Sequence, residues 1–358
     1  MKKITSILLL LNFAIAFSQN GTPASPYYNG FNWTLTGSNL KNALATKITN
    51  THTNLLSYTP GIWNALKIVD LDPTNSNNVL LVYGWEDGSD ADVTNDRTRG
   101  KDNNSGNNGD WNREHIFAQA LGQPALGQDG PGADAHMLRA CDVQRNGARG
   151  NKLYASGSGN SGDVGANWYP GDEWKGDVAR IIMYMYLHYG TQCLPTFVAS
   201  GSTAASDSNM VELLLQWNAE DPVSQYEDNR NTYLGNASNS YGQGNRNPFI
   251  DNPYLATVIW GGQTAQNRWP TIFLATPTFD LENSVSIYPN PASDVVNIST
   301  TVSLEEIDVI TINGQVLQQI KNPVIESNTF TISNLPKGFY FLKLSSATNS
   351  VTKKVLIN

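Results

Sequence analysis

The sequence predicts an α+β domain, rich in helix and long loops, followed by a small all-β sandwich domain. Between residues 25 and 274, apolar side chains recur at helical spacing in several segments, whereas strand-like runs are few. After residue 284, short β-branched runs alternate with Pro, Asn and Gly, which is typical of strands joined by turns. A chain of 358 residues is also long enough for two folded units.

The composition limits the classes of protein that need to be considered. A net charge of -8 argues against a protein held to nucleic acid by a global positive field, but not against local binding of a phosphodiester through a metal ion. The two cysteines, Cys141 and Cys193, exclude a disulfide-dense scaffold and a four-cysteine zinc site. A single disulfide between them stays open.

The first residues have the layout of a secretory signal peptide. Lys2 and Lys3 precede an apolar run over residues 4–17, which is shorter than the ~20 apolar residues of a membrane-spanning helix. Small and polar residues follow, so we expect cleavage after residue 18 and a soluble mature protein outside the cytoplasm. No other segment is long and apolar enough to span a bilayer. An uncleaved anchor or a buried N-terminal strand is the alternative.

Four segments of the central region have clear periodicity. Residues 37–53, 172–189 and 206–217 place apolar side chains on one helical face, and Gly190 is suited to end the second of these helices. Residues 79–83 form a short apolar run that predicts a strand. The region is therefore expected to be helix-rich.

A polar stretch over residues 86–110 is packed with Asp, Asn and Gly. A flexible surface loop is the simpler interpretation. A structural Ca²⁺ site that uses oxygens of Asp90, Asp92 and Asp96 is the alternative, although the spacing is not that of an EF-hand.

The most reactive side chains stand where this polar stretch ends. Glu114 and His115 are neighbours, and on a strand neighbours point to opposite faces, so they can share a site only where the strand ends in a loop. A neutral His is suited to deprotonating water near neutral pH, and a carboxylate is suited to binding Mg²⁺. The pair indicates metal-assisted chemistry, with ordinary surface residues as the alternative.

A second group of polar residues follows in residues 132–151. Alternation in residues 134–138 predicts a strand, and a helix that bears Asn146 is expected after it. An amide oxygen is a good ligand for a hard cation, and Arg is the natural bidentate partner of a phosphodiester. The segment from 114 to 151 is therefore expected to form a strand, a loop, a strand and a helix around one metal-dependent site.

These motifs closely resemble those of the bacterial endonuclease I family of secreted nonspecific nucleases, built on the ββα-metal (His-Me finger) motif. The resemblance covers about residues 25–270. Met137 and Ala140 depart from the residues that are usual in the family. The motifs are residues 111–115, 134–139, 146–151, 176–180, 217–224, 227–231 and 243–251.

The resemblance implies a role for each residue of the site. His115 would be the general base that activates water, and Glu114 and Asn146 would hold a divalent cation. That cation is expected to be Mg²⁺, with Mn²⁺ or Ca²⁺ as alternatives. Arg139 or Arg149 would clamp the phosphate as catalytic residues, and which of the two does so stays open.

Further contacts with substrate are expected from the resemblance and from the charge pattern. Arg113, Asn151 and Arg246 are the predicted substrate-binding residues. A local positive groove around the motif would offset the acidity of the chain. Its members would be Lys101, Arg113, Arg139, Arg145, Arg149 and Lys152.

The implied activity is hydrolysis of DNA, with RNA as a second substrate, to 5′-phosphate and 3′-hydroxyl ends. A noncatalytic secreted adhesin or glycan-binding protein, and a phosphodiesterase for a non-nucleic substrate, are the alternatives. His52, His136 and His188 are expected to be structural. A zinc triad of Glu114, His115 and His136 would lack a fourth ligand.

The last 75 residues or so predict six or seven short strands and a small β-sandwich. Asn313-Gly314 between two alternating apolar runs is a strong hairpin signal, and residues 338–344 and 351–357 form a second pair of runs. The motifs at residues 286–292, 313–315, 335–340 and 353–358 closely resemble the type IX secretion system C-terminal sorting domain. An adhesive or carbohydrate-binding β-module is the alternative.

The resemblance of the tail implies export across the outer membrane of a Bacteroidetes-type cell, with the type IX machinery as partner. The expected organisation is therefore a signal peptide (1–18), a nuclease domain (19–274), a linker (275–283) and a sorting domain (284–358).

Overall fold

The computed structural model describes residues 21–273, 285–300, 304–325, 328–346 and 350–358. The chain divides into two compact units, the first ending at Ile272 and the second beginning at Phe273. The expected signal peptide (1–18) and linker (275–283) lie outside the described residues.

The first unit mixes helices with small antiparallel sheets. Its described helices are α1 (Gly37–Thr51), α2 (Trp63–Val69), α3 (Val143–Arg149), α4 (Lys175–Tyr189), α5 (Glu212–Glu220), α6 (Gln225–Leu234), α7 (Pro248–Asp251) and α8 (Tyr254–Trp260). Its described strands are β1 (Leu71–Asp72), β2 (Asn75–Leu80), β3 (Thr98–Gly100), β4 (Trp111–His115), β5 (Leu138–Asp142), β6 (Gly162–Val164), β7 (Asn167–Tyr169), β8 (Thr203–Ala204) and β9 (Asp207–Val211). They pair as β1–β2–β3, β4–β5, β6–β7 and β8–β9.

Helix α1 confirms the helix predicted for residues 37–53, although it ends two residues earlier, at Thr51. Leu40, Leu44 and Ile48 recur every fourth residue and therefore share one face. All three are buried, and α1 packs against α4 through the first unit's core.

Helix α4 is the central helix of the first unit. It begins at Lys175, three residues after the predicted start, and ends at Tyr189. Gly190 caps it, with a φ of 55° in the left-handed region that favours glycine. The helix packs against α1, α5 and α7. Because it is covered on several sides, the charged side chains of Asp177 and Arg180 also face the interior.

The helix predicted for residues 206–217 is wrong in its first half. Residues Asp207–Val211 form strand β9, which pairs with β8, and α5 begins only at Glu212. The Asp207 carboxylate accepts hydrogen bonds from Lys41 at 2.8 Å, from Tyr186 at 3.0 Å and from Trp260 at 3.1 Å. These partners lie far from Asp207 along the chain, so the local sequence pattern does not predict the hairpin that they stabilise.

The strand predicted for residues 79–83 is displaced toward the N-terminus. Strand β2 ends at Leu80, and the chain bends at Tyr83. The run is nevertheless buried, because Val82 donates its N–H to the carbonyl of Ala140 in β5 at 2.9 Å. The apolar pattern therefore indicates a segment buried beside β5, and it does not indicate a strand over all five residues.

The second unit is a β-sandwich, as predicted. Its sheets have the antiparallel orders β10–β11–β14 and β13–β12–β15–β16, and apolar side chains of both form one core. The predicted hairpin at Asn313-Gly314 joins β12 to β13, and Gly314 has a φ of 82°. The strands are β10 (Val285–Tyr288), β11 (Val295–Thr300), β12 (Glu306–Thr311), β13 (Val316–Lys321), β14 (Thr329–Ser333), β15 (Gly338–Ser345) and β16 (Ser350–Ile357).

Two questions from the sequence concern the cysteines and the membrane. Cys141 and Cys193 are both buried and both free, so they do not form the disulfide that the sequence left open. Across the described ranges, no helix combines the length and the apolar character needed to cross a bilayer.

Ion pairs lie buried between α4 and α6. The Arg180 guanidinium donates to both oxygens of Glu227, at 2.6 and 2.9 Å, and both side chains are almost completely buried. Asp177 accepts a hydrogen bond from Arg139 at 2.9 Å in the same layer. Breaking such a pair leaves an unpaired charge in the interior, which is costly.

We therefore expect Arg180→Leu to lower the free energy of unfolding by about 3–5 kcal/mol, because Glu227 loses its partner. Lys175→Ala on the same helix is the matched control. Its ion pair with Glu220, at 2.8 Å, lies at the surface, so its loss should cost under ~1 kcal/mol. Urea denaturation measures both values, and equal losses would contradict the prediction.

Candidate active site

The candidate site is built by β4, β5 and α3, which follow one another as strand, strand and helix. The strands pair antiparallel, with His115 opposite Leu138. Helix α3 starts directly after β5, because the side chain of Asp142 caps its first N–H groups. The predicted helix that bears Asn146 is therefore confirmed, and it lies against the end of β4 through side-chain hydrogen bonds.

The strand predicted for residues 134–138 begins later than expected. Strand β5 starts at Leu138, and the preceding residues form a turn in which Met137 and Leu138 donate their N–H groups to the carbonyl of Asp134. The Asp134 carboxylate also accepts the N–H of His136 at 2.8 Å. Such side-chain bonds to nearby backbone compete with strand formation.

Glu114 is buried at the end of β4. Tyr83 donates its hydroxyl to Oε1 at 2.9 Å, and Arg149 Nη1 donates to the same oxygen at 3.1 Å. Burial raises the pKa of Glu114, and the charge of Arg149 and the Tyr83 hydrogen bond oppose that rise. The backbone N–H of His115 also bonds to this carboxylate. Among the described residues, no side chain donates to Oε2.

His115 is half-buried and holds a defined tautomer. Its Nε2 lies 3.1 Å from the carbonyl oxygen of Gly132, which can only accept, so Nε2 carries the proton and Nδ1 has the lone pair. Burial lowers the pKa of His115 to about 4. The Gly132 hydrogen bond opposes that shift, whereas the nearby charges of Arg113 and Arg149 add to it. The imidazole is thus neutral near neutral pH and can accept a proton.

Asn146 lies on the face of α3 that meets β4. Its Nδ2 donates to Asn112 Oδ1 at 2.7 Å and to the carbonyl of Arg113 at 3.3 Å. These two bonds fix the amide so that its oxygen is the free end, and in the described chain nothing donates to that oxygen. Carboxylate and amide oxygens are the ligands that hard divalent cations prefer, so Glu114 and Asn146 fit such an ion.

Arg149 fixes the end of β4 from inside the protein. Besides Glu114, it donates to the carbonyls of His115 at 2.8 Å and of Ile116 at 2.9 Å, and its side chain is 1% exposed. A guanidinium in this position cannot reach a substrate phosphate without leaving these partners. Arg149 thus holds the end of β4 from the interior, and its expected role as a phosphate clamp stays a prediction.

Arg139 and Arg246 also face the interior. Arg139 is 1% exposed and forms an ion pair with Asp177, while Arg246 binds the carboxylate of Asp251 with Nη2 at 2.6 Å and with Nε at 3.0 and 3.1 Å. Neither placement fits the phosphate clamp or substrate contact expected from the sequence. The acidic partners lie far along the chain or on another element, which the local motif does not reveal.

Arg113 and Asn151 stay within reach of a substrate. The Arg113 guanidinium is only half-buried and lies between the rings of Tyr58, at 3.5 Å from its centroid, and Trp63, at 4.3 Å. It also donates to Thr59 Oγ1 at 2.9 Å. Asn151 is exposed just past the end of α3. Their substrate roles stay predictions.

Two tyrosines of the site were missed by sequence reasoning. The ring of Tyr58 stacks on His115, with centroids 5.7 Å apart, and also covers Arg113. Tyr83 donates to Glu114 from the turn after β2. Neither tyrosine belongs to a sequence motif, and both lie far along the chain from Glu114 and His115. The sequence therefore did not indicate them as parts of the site.

A second polar cluster lies away from Glu114. His52, Asp134 and His188 bring one ligand atom each to within 4.8 Å of one another, and Gln243 Nε2 contacts both His52 Nε2 at 2.7 Å and Asp134 Oδ1 at 3.2 Å. Two tyrosine hydroxyls also donate to Asp134, at 2.7 and 2.9 Å. Hydrogen bonds thus join the members of the cluster, and its three ligand atoms also have the spacing of a possible metal-binding group. The structural roles expected for both histidines stay predictions.

The zinc triad considered from the sequence is not formed. His136 is buried, and its Nε2 bonds to the carbonyl of Asn245 at 2.9 Å. Among the described residues, Glu114, His115 and His136 are not a group with metal-binding spacing. His136 instead ties the turn before β5 to the segment around Asn245.

In the polar stretch over residues 86–110, the carboxylates of Asp90, Asp92 and Asp96 do not converge on one site either. Asp90 and Asp92 accept hydrogen bonds from the N–H groups of Asp92 and Thr94, and Asp96 pairs with Arg99 at 3.2 Å. In the described part of the chain these three aspartates are not a metal-binding group, which favours the simpler interpretation of a surface loop.

The unit formed by β4, β5 and α3 thus carries an imidazole, a carboxylate and an amide, and comparison with known families gives the class of protein, a nuclease. A family model described as Endonuclease I matches residues 36–254, and the chain belongs to this family. The expectation drawn from the central motifs is therefore confirmed.

The relatives agree with this assignment. The chain is 40% identical over 276 residues to an extracellular ribonuclease of Bacillus subtilis (strain 168), in a match that covers 70% of this chain and 89% of the relative. It is 41% identical over 234 residues to an extracellular ribonuclease of Bacillus amyloliquefaciens, covering 63% of this chain and 74% of the relative.

The tail is also assigned. A family model described as a secretion system C-terminal sorting domain matches residues 286–358, so the protein is a secreted nuclease with a type IX sorting domain. A solved structure of PorZ, a surface component of the type-IX secretion system of Porphyromonas gingivalis, shares 16% identity over 24% of this chain and 13% of PorZ, with a TM-score of 0.19.

His136 and His188 predict a stability that depends on pH. Burial lowers the pKa of each from 6.5 to about 4 in the folded protein. Between these values the unfolded chain binds protons at these two histidines that the folded chain does not, so both histidines lower the free energy of unfolding as the pH falls from 6.5 toward 4.

Urea denaturation at a series of pH values measures this dependence. His188→Gln should flatten it, because the variant has one proton fewer to take up on unfolding. A His188→Gln variant with the same pH dependence of stability as the wild type would contradict the prediction.

Proposed function

We propose that this nuclease hydrolyses the phosphodiester bonds of RNA and DNA outside the cell, with His115 as the general base and Glu114 and Asn146 as ligands of one divalent cation. The expected products carry 5′-phosphate and 3′-hydroxyl ends. RNA enters the proposal because both Bacillus relatives are named extracellular ribonucleases.

The observation that carries this proposal is the hydrogen bond between His115 and Gly132. Because Nε2 donates to that carbonyl, Nδ1 is left as the proton acceptor. The stacked ring of Tyr58 keeps the imidazole in one orientation. A neutral, oriented imidazole can remove the proton from a water molecule as it attacks phosphorus.

The donor set supports one hard cation. Glu114 offers a carboxylate oxygen and Asn146 an amide oxygen, and water would complete the shell, which suits Mg²⁺ and, as alternatives, Mn²⁺ or Ca²⁺. When bound, such an ion supplies a positive charge that stabilises negative charge developing on the phosphate and the leaving oxygen. Arg149 orients Glu114 for this task from the interior.

Substrate binding would rely on a small basic surface. Since Arg139 and Arg149 are buried, the surface cations near the motif are Lys101, Arg113, Arg145 and Lys152, all of which are partly exposed. The Arg145 guanidinium lies 4.2 Å from the centroid of the Trp85 ring. Guanidinium groups beside aromatic rings suit phosphates and bases together.

We expect His115→Ala to lower kcat at least about 100-fold on RNA and on plasmid DNA in Mg²⁺, because the variant lacks the general base. His52→Gln is the control, since His52 lies in the other cluster and its variant should cleave like the wild type. Thermal unfolding checks that both variants fold. A His115 variant that cleaves as fast as the His52 variant would contradict the assignment.

A matched pair at Asn146 tests the cation ligand. Asn146→Ala removes the oxygen, so cleavage should need much more Mg²⁺ for half-maximal rate. Asn146→Asp loses the same amide hydrogen bonds but keeps an oxygen, so it should need less Mg²⁺ than Asn146→Ala. Equal Mg²⁺ requirements in the two variants, or cleavage that EDTA does not stop, would refute the role of Asn146.

A further inference from the structure

The backbone of Tyr83 has an unusual conformation for a large aromatic residue. Its φ is 74°, in the left-handed region that β-carbon contacts disfavour. The other non-glycine residues with positive φ in the described chain are Asn322, Asn328 and Asn334, and Asn tolerates this region well. Strained backbone of this kind persists only where the surroundings enforce it, and it concentrates at functional sites.

The neighbours of Tyr83 enforce the conformation. Ser161 donates its hydroxyl to the carbonyl of Tyr83 at 2.6 Å, and Trp174 Nε1 donates to the carbonyl of Gly84 at 2.8 Å. A β-carbon added at Gly84 would lie 2.1 Å from the carbonyl oxygen of Asp96, so the chain passes there with no room to spare. The turn is therefore fixed from three sides.

The strained turn carries the Tyr83 hydroxyl to Glu114. The phenol is buried, and its oxygen lies 2.9 Å from Glu114 Oε1 and 2.6 Å from the hydroxyl of Tyr154, which itself donates to the carbonyl of Ile116 at 2.9 Å. Arg149 donates to the same carboxylate oxygen. Two side-chain donors on one oxygen fix the carboxylate, and among the described residues no side chain donates to Oε2.

We infer that Tyr83 is a positioning residue for the cation: its hydroxyl orients Glu114 so that Oε2 is presented to the ion before the ion binds. This inference rests on the proposed role of Glu114. A residue that orients a ligand raises the affinity for the ion, because less freedom is lost on binding. A merely structural tyrosine would contribute to stability and leave the affinity unchanged.

The test measures Mn²⁺ binding to the full-length protein without substrate, by electron paramagnetic resonance of the free ion. Tyr83→Phe should weaken binding by about 10–100-fold, as is usual for partners of metal ligands. Tyr28→Phe is the matched control, because Tyr28 is also buried and donates to a carboxylate, that of Asp251, at 2.8 Å. It should bind Mn²⁺ like the wild type.

Cleavage of RNA provides a second readout. Tyr83→Phe should require more Mg²⁺ for half-maximal rate, and saturating Mg²⁺ should restore its kcat toward the wild-type value. If Tyr83→Phe does not fold, Ser161→Ala removes the hydroxyl that holds the Tyr83 carbonyl while leaving the phenol in place, and it should weaken Mn²⁺ binding less but in the same direction.

Glu114→Gln separates failure of this inference from failure of the proposed function. If Glu114→Gln loses Mn²⁺ while the Tyr83 and Ser161 variants bind it as tightly as Tyr28→Phe does, the role of Tyr83 is overturned and the cation site stands. If Glu114→Gln binds Mn²⁺ as the wild type does, Glu114 is not a ligand, and both conclusions fall.

Discussion

The geometry of the candidate site depends on the buried guanidinium of Arg149. One side chain near the end of α3 binds the Glu114 carboxylate and the carbonyls of His115 and Ile116, so it joins the helix to the last residues of β4. Charge-assisted bonds to a carboxylate are among the strongest that proteins form. Because Arg149 holds the strand where it ends, Glu114 and His115 keep fixed positions although their side chains leave the strand on different faces.

Arginine serves this protein largely as an interior residue. Arg139, Arg180 and Arg230 are also buried, and each pairs with a buried carboxylate. A buried charge is tolerated only with a partner, so these pairs join the helices to one another and to strand β5. They also explain how a chain that carries a net charge of -8 can place arginines around its motif without a strongly basic surface.

The sequence predicted those features whose causes are local. The apolar period of α1, the Asn-Gly hairpin of the tail and the adjacency of Glu114 and His115 follow from neighbouring residues. It failed where a distant partner decides. Asp177 turns Arg139 inward, the partners of Asp207 convert part of a predicted helix into a hairpin, and Tyr83 reaches Glu114 from outside every motif.

We propose that the hydrolytic centre lies between the end of β4 and helix α3. Anomalous diffraction from crystals soaked in Mn²⁺ tests this claim most directly, because it locates the ion without relying on activity. We expect an anomalous peak for Mn²⁺ that Glu114 and Asn146 bind. A peak at His52, Asp134 and His188 with none at Glu114 would contradict it.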